Sequence, residues 1–292
     1  MSSFSLLLPF FSGIVFAFLG LTYKRAAARQ CDQAGFAVVF LLTATTVTGV
    51  GTLFDTTPWD DGSLWILGVG MGACFYLALV LMLAANRRGP TSLSWMAISL
   101  SLIIPLTLSA LWLGESFGVV GFLILAVFGL IVYVLRRGAK AEETALKANE
   151  RASPVFWILL AALFLANGAY QFGGKLKFAW FGGAASAGYA AIVYGAALAL
   201  AVAVHAATGA PRLSVREWSC GALSGVCVGV GFLLQLAAMR LSAAVVYPLS
   251  GGISMVGGVA LMAIVYRERI NRWKAVGLAL GVVILVLSAF HG

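Results

Sequence analysis

Charged side chains are scarce in this chain, where Asp, Glu, Lys and Arg make up only 10% of the 292 residues. Charged residues reach about a quarter of an ordinary soluble domain, so this composition excludes that class of protein. Hydrophobic residues amount to 62%, and the mean hydropathy is +1.01. The composition therefore predicts an integral membrane protein.

The residue patterns of a catalytic or metal centre are also missing. The four cysteines form no CxxC pair, so we interpret them as small packing residues rather than as a disulfide or metal framework. We find no phosphate-binding loop, metal-ligand spacing or pairing of nucleophile and base. We therefore expect no enzyme activity, no metal and no cofactor.

The excess positive charge of +9 is scattered between apolar runs and forms no single patch. This distribution indicates membrane topology and argues against a nucleic-acid partner. No Asp or Glu lies in the middle of an apolar run, so a proton relay built on acids is poorly supported, although proton coupling stays open. No Lys or Arg lies there either, which disfavours a phosphate site.

Ten runs have the length of about 20 mostly apolar residues that a spanning helix needs. They cover residues 4–23, 34–54, 64–85, 92–113, 118–135, 155–174, 184–205, 219–239, 243–265 and 273–290. The runs are continuously apolar, whereas barrel strands alternate in hydrophobicity. The N-terminus lacks the basic region and cleavage site of a signal peptide, so its run is expected to remain as the first span. The predicted fold is all-α, with ten transmembrane helices.

A duplication organises the chain, because residues 68–87 repeat as residues 221–240 at an offset of 153 positions. The same offset aligns Pro58 with Pro211 and Trp65 with Trp218. Each half then holds five helices, and an odd number sends the second half into the membrane from the opposite side, which makes the repeats inverted. We divide the chain into repeats at 1–135 and 155–292, joined by a linker at 136–154.

Lys and Arg set the expected orientation, since cytoplasmic loops are enriched in them. The odd-numbered connections hold 16 of the 19 cations, and the opposite ones hold only Lys175, Lys177 and Arg240. Both termini are therefore predicted to face outward. The linker, with Glu143 four residues before Lys147, is expected to form a short solvated helix on the cytoplasmic side.

Residues 84–131 and 237–284 share a further pattern. Each has a small-residue helix end, a turn, an apolar helix, a corner at Glu115 or Glu268, and a closing helix that contains Gly. This pattern resembles the EamA-type, ten-helix branch of the drug/metabolite transporter superfamily, which includes bacterial amino-acid and metabolite exporters. The resemblance implies a cavity lined by helices one, three, four, six, eight and nine, with helices two, five, seven and ten more peripheral. It also implies a bacterial cytoplasmic (inner) membrane.

The two corners differ, because Gly114 stands at the first where Arg267 stands at the second. We interpret the corner glutamates as capping or packing groups rather than as ligands.

Helix six carries the densest set of polar residues, and the spacing of Asn167, Tyr170, Gln171 and Lys175 places them on one face. Polar groups inside spans are costly and mark binding sites by default. Lys175 aligns with Thr22, and the sequence leaves two roles open for it. It is either a lysine that snorkels to the interface or a group that meets an anionic part of a substrate.

Other candidates for substrate contacts lie in neighbouring helices. Gln235 is in helix eight, Tyr247 and Ser250 are in helix nine, and Tyr76 and Trp95 offer aromatic walls. Pro248 with the following Gly251 and Gly252 is expected to break helix nine locally, and Pro105 is expected to kink helix four. Glycines at four-residue spacing in helices three and eight predict close helix packing, and we expect these helices to slide.

The sequence therefore predicts an alternating-access secondary transporter in contact with membrane lipid. Its substrate is expected to be a small neutral or zwitterionic metabolite, with an amino acid as the leading case and export as the leading direction. Three alternatives stay open: a flippase for lipid-linked head groups, an uptake permease, and a membrane scaffold that transports nothing. The oligomeric state is not predicted.

Overall fold

The computed structural model describes residues 4–55, 57, 59–88, 94, 97–98, 100–115, 118–145, 154–209, 213–265 and 272–291. These residues form ten α-helices and no strand. The helices are α1 Phe4–Ala28, α2 Gln33–Thr52, α3 Gly62–Asn86, α4 Ile103–Trp112, α5 Gly118–Ala145, α6 Pro154–Phe181, α7 Ser186–Ala207, α8 Val215–Ala238, α9 Ala243–Val265 and α10 Arg272–His291. The all-helical fold class is thus confirmed.

Six of these helices, α1, α2, α3, α6, α7 and α8, are long and apolar enough to cross a membrane. The apolar parts found in α4, α5 and α9 are shorter, at Ile103–Trp112, Gly121–Ile131 and Ala243–Gly258. A membrane-embedded protein is therefore supported. The count of ten spans stays a prediction.

Local capping explains where several helices begin. Asp32 accepts a hydrogen bond from the Gly35 N–H at the start of α2, and Asp61 accepts one from the Ser63 N–H at the start of α3, both at 2.8 Å. Ser214 and Glu217 form a capping box at the start of α8. These side chains satisfy backbone donors that have no partner inside the helix.

Several boundaries differ from the sequence prediction. Helix α6 continues to Phe181. Lys175 and Lys177 therefore lie inside a helix, whereas the sequence analysis placed them in a connection. Helix α5 continues through the first part of the expected linker to Ala145, because its Ala, Glu and Lys residues are good helix formers. The rest of the linker, residues 146–153, lies outside the described residues.

The expected break in helix nine is wrong, since α9 runs continuously past Pro248 and the two glycines. Pro105 lies in the first turn of α4, where the missing N–H breaks no helical hydrogen bond. Among the described residues of this region, a turn at Leu102 interrupts the helix just before α4.

The helix contacts between the two halves come in related pairs. Replacing each helix of a contact by its partner in the other half of the chain gives another observed contact. Helix α1 packs on α8 and α9, as α6 packs on α3 and α4. Likewise α2 packs on α8 as α7 packs on α3, and α2 packs directly on α7. Helices α5 and α10 pack on each other and on α9.

Repeated glycines allow very close contacts within these pairs. A Cβ on Gly72 would lie 2.4 Å from the Val193 carbonyl oxygen of α7, and one on Gly225 would lie 2.4 Å from the Phe40 carbonyl oxygen of α2. Both pairs are related by the 153-residue offset. The glycines therefore allow backbone contact, as predicted. Whether α3 and α8 slide remains a prediction.

The connections meet at two opposite ends of the bundle. The α2–α3, α4–α5, α6–α7 and α8–α9 connections are joined at one end, which we call the lysine end after Lys175 and Lys177. At the opposite end, Arg29 and Asp32 of the α1–α2 connection bond Ser219 and Glu217 of α8. The lysine end is the one that the charge distribution predicts to face outward.

Candidate functional site

Lys175 is almost completely buried near the lysine end, with 2% of its side chain exposed. Its Nζ donates to Glu115 Oε1 at 2.6 Å and to the carbonyl oxygen of Leu241 at 2.7 Å. A third, longer contact of 3.3 Å reaches the Met239 carbonyl oxygen. Lys175 therefore neither snorkels nor stands free for a substrate. Its charge is neutralised by a carboxylate of its own chain, a partner that the sequence prediction did not consider.

Lys177 lies two residues further along α6 and is equally buried. Its Nζ donates to Ser186 Oγ at 2.7 Å and to the Gly182 carbonyl oxygen at 3.2 Å. These contacts join the end of α6 to the start of α7. Both lysines thus stabilise the connections at this end.

Asp55 anchors the α2–α3 connection at the same end. It accepts hydrogen bonds from the Thr57 side chain and from the Ala187 N–H of α7. Partial burial opposes its ionisation, but these hydrogen bonds outweigh that effect, and the pKa of Asp55 falls below its ordinary value of 3.8. Asp55 is therefore a stable anion at neutral pH.

One helical turn inward from the lysine end, four helices each contribute a polar side chain, and we call this set the polar layer. Gln171 precedes Lys175 by one turn in α6, and Gln235 precedes Met239 by one turn in α8. Tyr189 and Tyr247 lie one turn inside the starts of α7 and α9. These positions share one depth because α6 and α8 run toward the lysine end while α7 and α9 start from it.

Direct contacts tie the polar layer together. The Tyr247 hydroxyl donates to the Gln171 backbone carbonyl at 2.7 Å. A Cβ on Gly173 would lie 2.8 Å from the Tyr189 hydroxyl, and one on Gly174 would lie 3.3 Å from the Met239 methyl group. Helices α7, α8 and α9 therefore all approach the same part of α6.

Three atoms of the polar layer are buried without a hydrogen-bond partner: Gln171 Oε1, Gln235 Oε1 and the Tyr189 hydroxyl. A buried polar atom that lacks a partner costs about 1–3 kcal/mol. Such atoms are rare in native proteins, and each calls for a specific explanation. Each of these three oxygens can accept a hydrogen bond, and the Tyr189 hydroxyl can also donate one.

An aromatic cluster adjoins this layer and brings together α3, α6, α7 and α8. The Tyr170 ring contacts Phe75 and Phe232, with centroids 4.7 Å and 5.2 Å apart, and the Tyr194 ring contacts the same two residues. The hydroxyls of Tyr170 and Tyr194 are hydrogen-bonded to each other at 2.9 Å. Tyr189 also contacts Phe232, at 6.4 Å. The cluster supplies an apolar wall with polar edges.

The cluster contains residues that the sequence analysis missed. Phe75, rather than the predicted Tyr76, contacts the tyrosines, while Tyr76 is half-buried against the core. Tyr189 and Tyr194 lie in α7, a helix that the resemblance implies to be more peripheral. Helices α2 and α7 each place a fully buried aromatic ring, Phe40 and Tyr194, inside the bundle. The sequence could have identified Tyr189 and Tyr194 as candidates because each places a hydroxyl group inside a predicted span.

The remaining predicted residues have separate roles. Asn167 donates to Ser101 Oγ at 2.6 Å and connects α6 to the residues that precede α4. Ser250 donates to the Val246 carbonyl of its own helix, so it adds no free donor to the layer. Trp95 lies outside the described residues. Of the nine predicted site residues, Gln171, Gln235 and Tyr247 belong to the polar layer, and Tyr170 belongs to the adjoining aromatic cluster.

At the opposite end, the described residues include hydrogen bonds between the α1–α2 connection and α8. Glu217 accepts the Asp32 N–H at 3.0 Å, and Arg29 donates to Ser219 Oγ at 2.9 Å. Burial, with a contribution from the neighbouring Cys220 thiol, raises the pKa of Cys31 to about 11. Cys31 is therefore a neutral thiol at pH 7. Among the described residues, no three His, Cys, Asp or Glu side chains form a group that could hold a metal ion.

Comparison with known proteins establishes the fold alone. No protein-family model and no curated protein matches the chain. Among the solved structures, 27 chains match it. One, described only as "Crystal structure of protein", superposes with a TM-score of 0.76 over 99% of this chain and 98% of its own. Its sequence identity to this chain is 17%, so the likeness says nothing about substrate.

Proposed function

We propose that this protein is an alternating-access secondary transporter built from two inverted five-helix repeats. Three features of the fold support the proposal. The helix contacts are exchanged between the halves, the repeated glycines meet repeat-related carbonyls, and successive connections alternate between the two ends. Two repeats that pack through equivalent surfaces have two equivalent ways to rock against each other, which alternating access requires.

The observation that carries the proposal is the set of unpaired polar atoms in the polar layer. Gln171 and Gln235 each bury an amide oxygen without a partner inside a membrane-spanning helix. A protein that only needed to pack would be more stable with apolar side chains there. A ligand that supplies the missing hydrogen bonds would account for these residues.

The chemistry of the layer favours a small neutral or zwitterionic substrate with an apolar part. Amide oxygens accept hydrogen bonds from an ammonium or amide group, and the Tyr189 hydroxyl can donate or accept. The aromatic cluster around Phe232 would hold the apolar part. An amino acid combines these features and is the leading candidate, with export from a bacterial cytoplasm as the leading direction. Lys175, for which contact with an anionic part of a substrate was one of the two roles left open by the sequence, is already paired with Glu115 and is not assigned to the layer.

Counterflow in proteoliposomes tests this function. Vesicles are loaded with unlabelled amino acids, and uptake of labelled Phe, Met, Thr and Lys is followed with and without a proton gradient. Saturable exchange of neutral amino acids is the expected result. Exchange of lipid head groups in place of amino acids would indicate a flippase. Absence of any flux would support a scaffold and remove the proposal.

Two substitutions connect the function to the polar layer. Gln171→Leu and Gln235→Leu each remove one unpaired amide oxygen, and loss of one hydrogen bond to an ammonium group should weaken substrate binding about tenfold or more. Ser250→Ala is the matched control, because its hydroxyl bonds its own helix. Equal loss of exchange in the Ser250→Ala variant would show that the layer is not the site.

A further inference from the structure

The ion pair between Lys175 and Glu115 also holds both ends of the short α8–α9 connection. Lys175 Nζ donates to the Leu241 and Met239 carbonyl oxygens just after α8, while Glu115 Oε2 accepts the N–H of Ala243, the first residue of α9, at 2.7 Å. We call these four contacts, including the ion pair at 2.6 Å, the clamp. It joins α4, α6, α8 and α9 at the lysine end.

Each charge in the clamp matches the helix end that it contacts. Carbonyls without an intrahelical partner accumulate at a helix C-terminus and attract a cation. N–H groups without a partner at a helix N-terminus attract an anion. Lys175 faces the former at α8, and Glu115 faces the latter at α9. The clamp therefore requires the cation to be at position 175 and the anion at position 115, whereas a simple ion pair would tolerate their exchange.

The repeat-related positions cannot form the same clamp. The 153-residue offset places Thr22 where Lys175 stands, and Glu268 where Glu115 stands. It also places Pro90, which has no backbone N–H, where Ala243 donates. Thr22 instead hydrogen-bonds Ser224 and the Leu19 carbonyl. The duplication therefore does not repeat the lysine and the N–H donor of the clamp at the equivalent sequence positions.

We propose that the clamp is a gate at the lysine end, which keeps that end closed and must open whenever a substrate passes through it. The inference rests on the proposed function, because a gate has a role only in a protein that alternates between two openings. The polar layer lies one turn beneath the clamp, so the closed clamp covers it from this side. Glu115 keeps 23% of its side chain exposed while Lys175 keeps 2%, so the pair opens from the glutamate side.

Hydrogen exchange of the full chain in lipid nanodiscs, read by mass spectrometry, tests the gate without requiring a known substrate. The reporter segment is 239–250, and the segment at the opposite end is 213–224. Glu115→Gln and Lys175→Met should each accelerate exchange in the reporter segment about tenfold or more, since a charge-assisted contact is lost. Exchange at the opposite end should slow, because opening one end of an alternating-access protein closes the other.

Two further variants separate the gate from simpler explanations. The charge swap Glu115→Lys with Lys175→Glu should remain as open as the single variants, because it sets a cation against the α9 N–H and an anion against the α8 carbonyls. Lys177→Met is the matched control, since the hydrogen bonds of this lysine go to Ser186 and Gly182 and not to the α8–α9 connection. It should leave segment 239–250 unchanged.

Three results would overturn the gate: unchanged exchange in both single variants, full recovery in the charge swap, or faster exchange at both ends together. The last result would mean that the pair merely stabilises the fold. Counterflow on the same samples keeps the two proposals apart. Hydrogen exchange could become faster at the lysine end and slower at the opposite end while no tested amino acid is transported. The two-ended motion would then be retained, and the assigned substrates would be wrong. Flux with unchanged exchange would retain the transporter and remove the gate.

Discussion

Adding a single methyl group at Gly72 or Gly225 should destabilise the protein. A Cβ at Gly72 would lie 2.4 Å from the Val193 carbonyl oxygen and 2.9 Å from the Ala196 Cβ. At Gly225 it would lie 2.4 Å from the Phe40 carbonyl oxygen. These distances are below the 3.0 Å under which real Cβ contacts are essentially never seen, and the nearest atom is backbone, which cannot rotate away.

The size of the effect follows from the forced separation of the helices. Overpacking of a close interface costs about 1–3 kcal/mol. Alanine also improves helix propensity relative to glycine by about 1 kcal/mol, which offsets part of that cost. We expect Gly72→Ala and Gly225→Ala each to lower the free energy of unfolding by up to about 2 kcal/mol after this offset. The two changes should add, because they lie in separate helix interfaces.

Thermal unfolding of the purified protein in detergent, followed by intrinsic tryptophan fluorescence, measures the effect. Gly70→Ala is the matched control in the same helix, because a Cβ there meets nothing within 4 Å. Its Tm should stay the same or rise. If Gly72→Ala proved as stable as Gly70→Ala, the close backbone contact between α3 and α7 would be refuted, and with it the repeat-related contact inferred for α8 and α2.

Three other predictions concern polar groups. Tyr194→Phe removes the hydroxyl pair with Tyr170 and should cost about 0.5–1.5 kcal/mol, measured as a lower Tm, while both rings stay packed. Gln235→Leu should raise the Tm even as it weakens binding, because a buried amide oxygen without a hydrogen-bond partner is removed. Asp55 has a pKa below 3.8, so its contribution to stability is complete above that pH and is lost as the pH falls through the lower, folded value. Asp55→Asn should therefore flatten the dependence of Tm on pH in that acidic range.

Each of these has an outcome that contradicts it. Tyr76→Phe is the control for Tyr194→Phe, and an equal loss in both would mean that the hydroxyl pair adds no stability. A lower Tm in Gln235→Leu would mean that its amide is satisfied in the membrane. An unchanged acidic slope in Asp55→Asn would assign the titration to another carboxylate, such as Asp61, whose pKa is also lowered, by hydrogen bonds from Ser63.

The helices could be predicted from the sequence because their formation is local. An α-helix satisfies its backbone hydrogen bonds within one segment, and lipid enforces that satisfaction along each apolar run. The bounds of α9 agree with the predicted run at residues 243–265. The duplication was also readable, since glycines and charges recur at one offset. Gln171, Gln235 and Tyr247 were found because polar residues stand out against an apolar background.

The partners of these residues were decided by the tertiary structure. Lys175 and Glu115 lie 60 positions apart, and their contact depends on how α4, α6, α8 and α9 converge. A search of one helix face could identify Lys175 as unusual but could not show that a carboxylate of the chain already neutralises it. The choice of Phe75 over Tyr76 likewise depends on the rotation of α3 against α6 and α7. Periodicity determines which residues share a face, whereas packing between distant segments determines what that face meets.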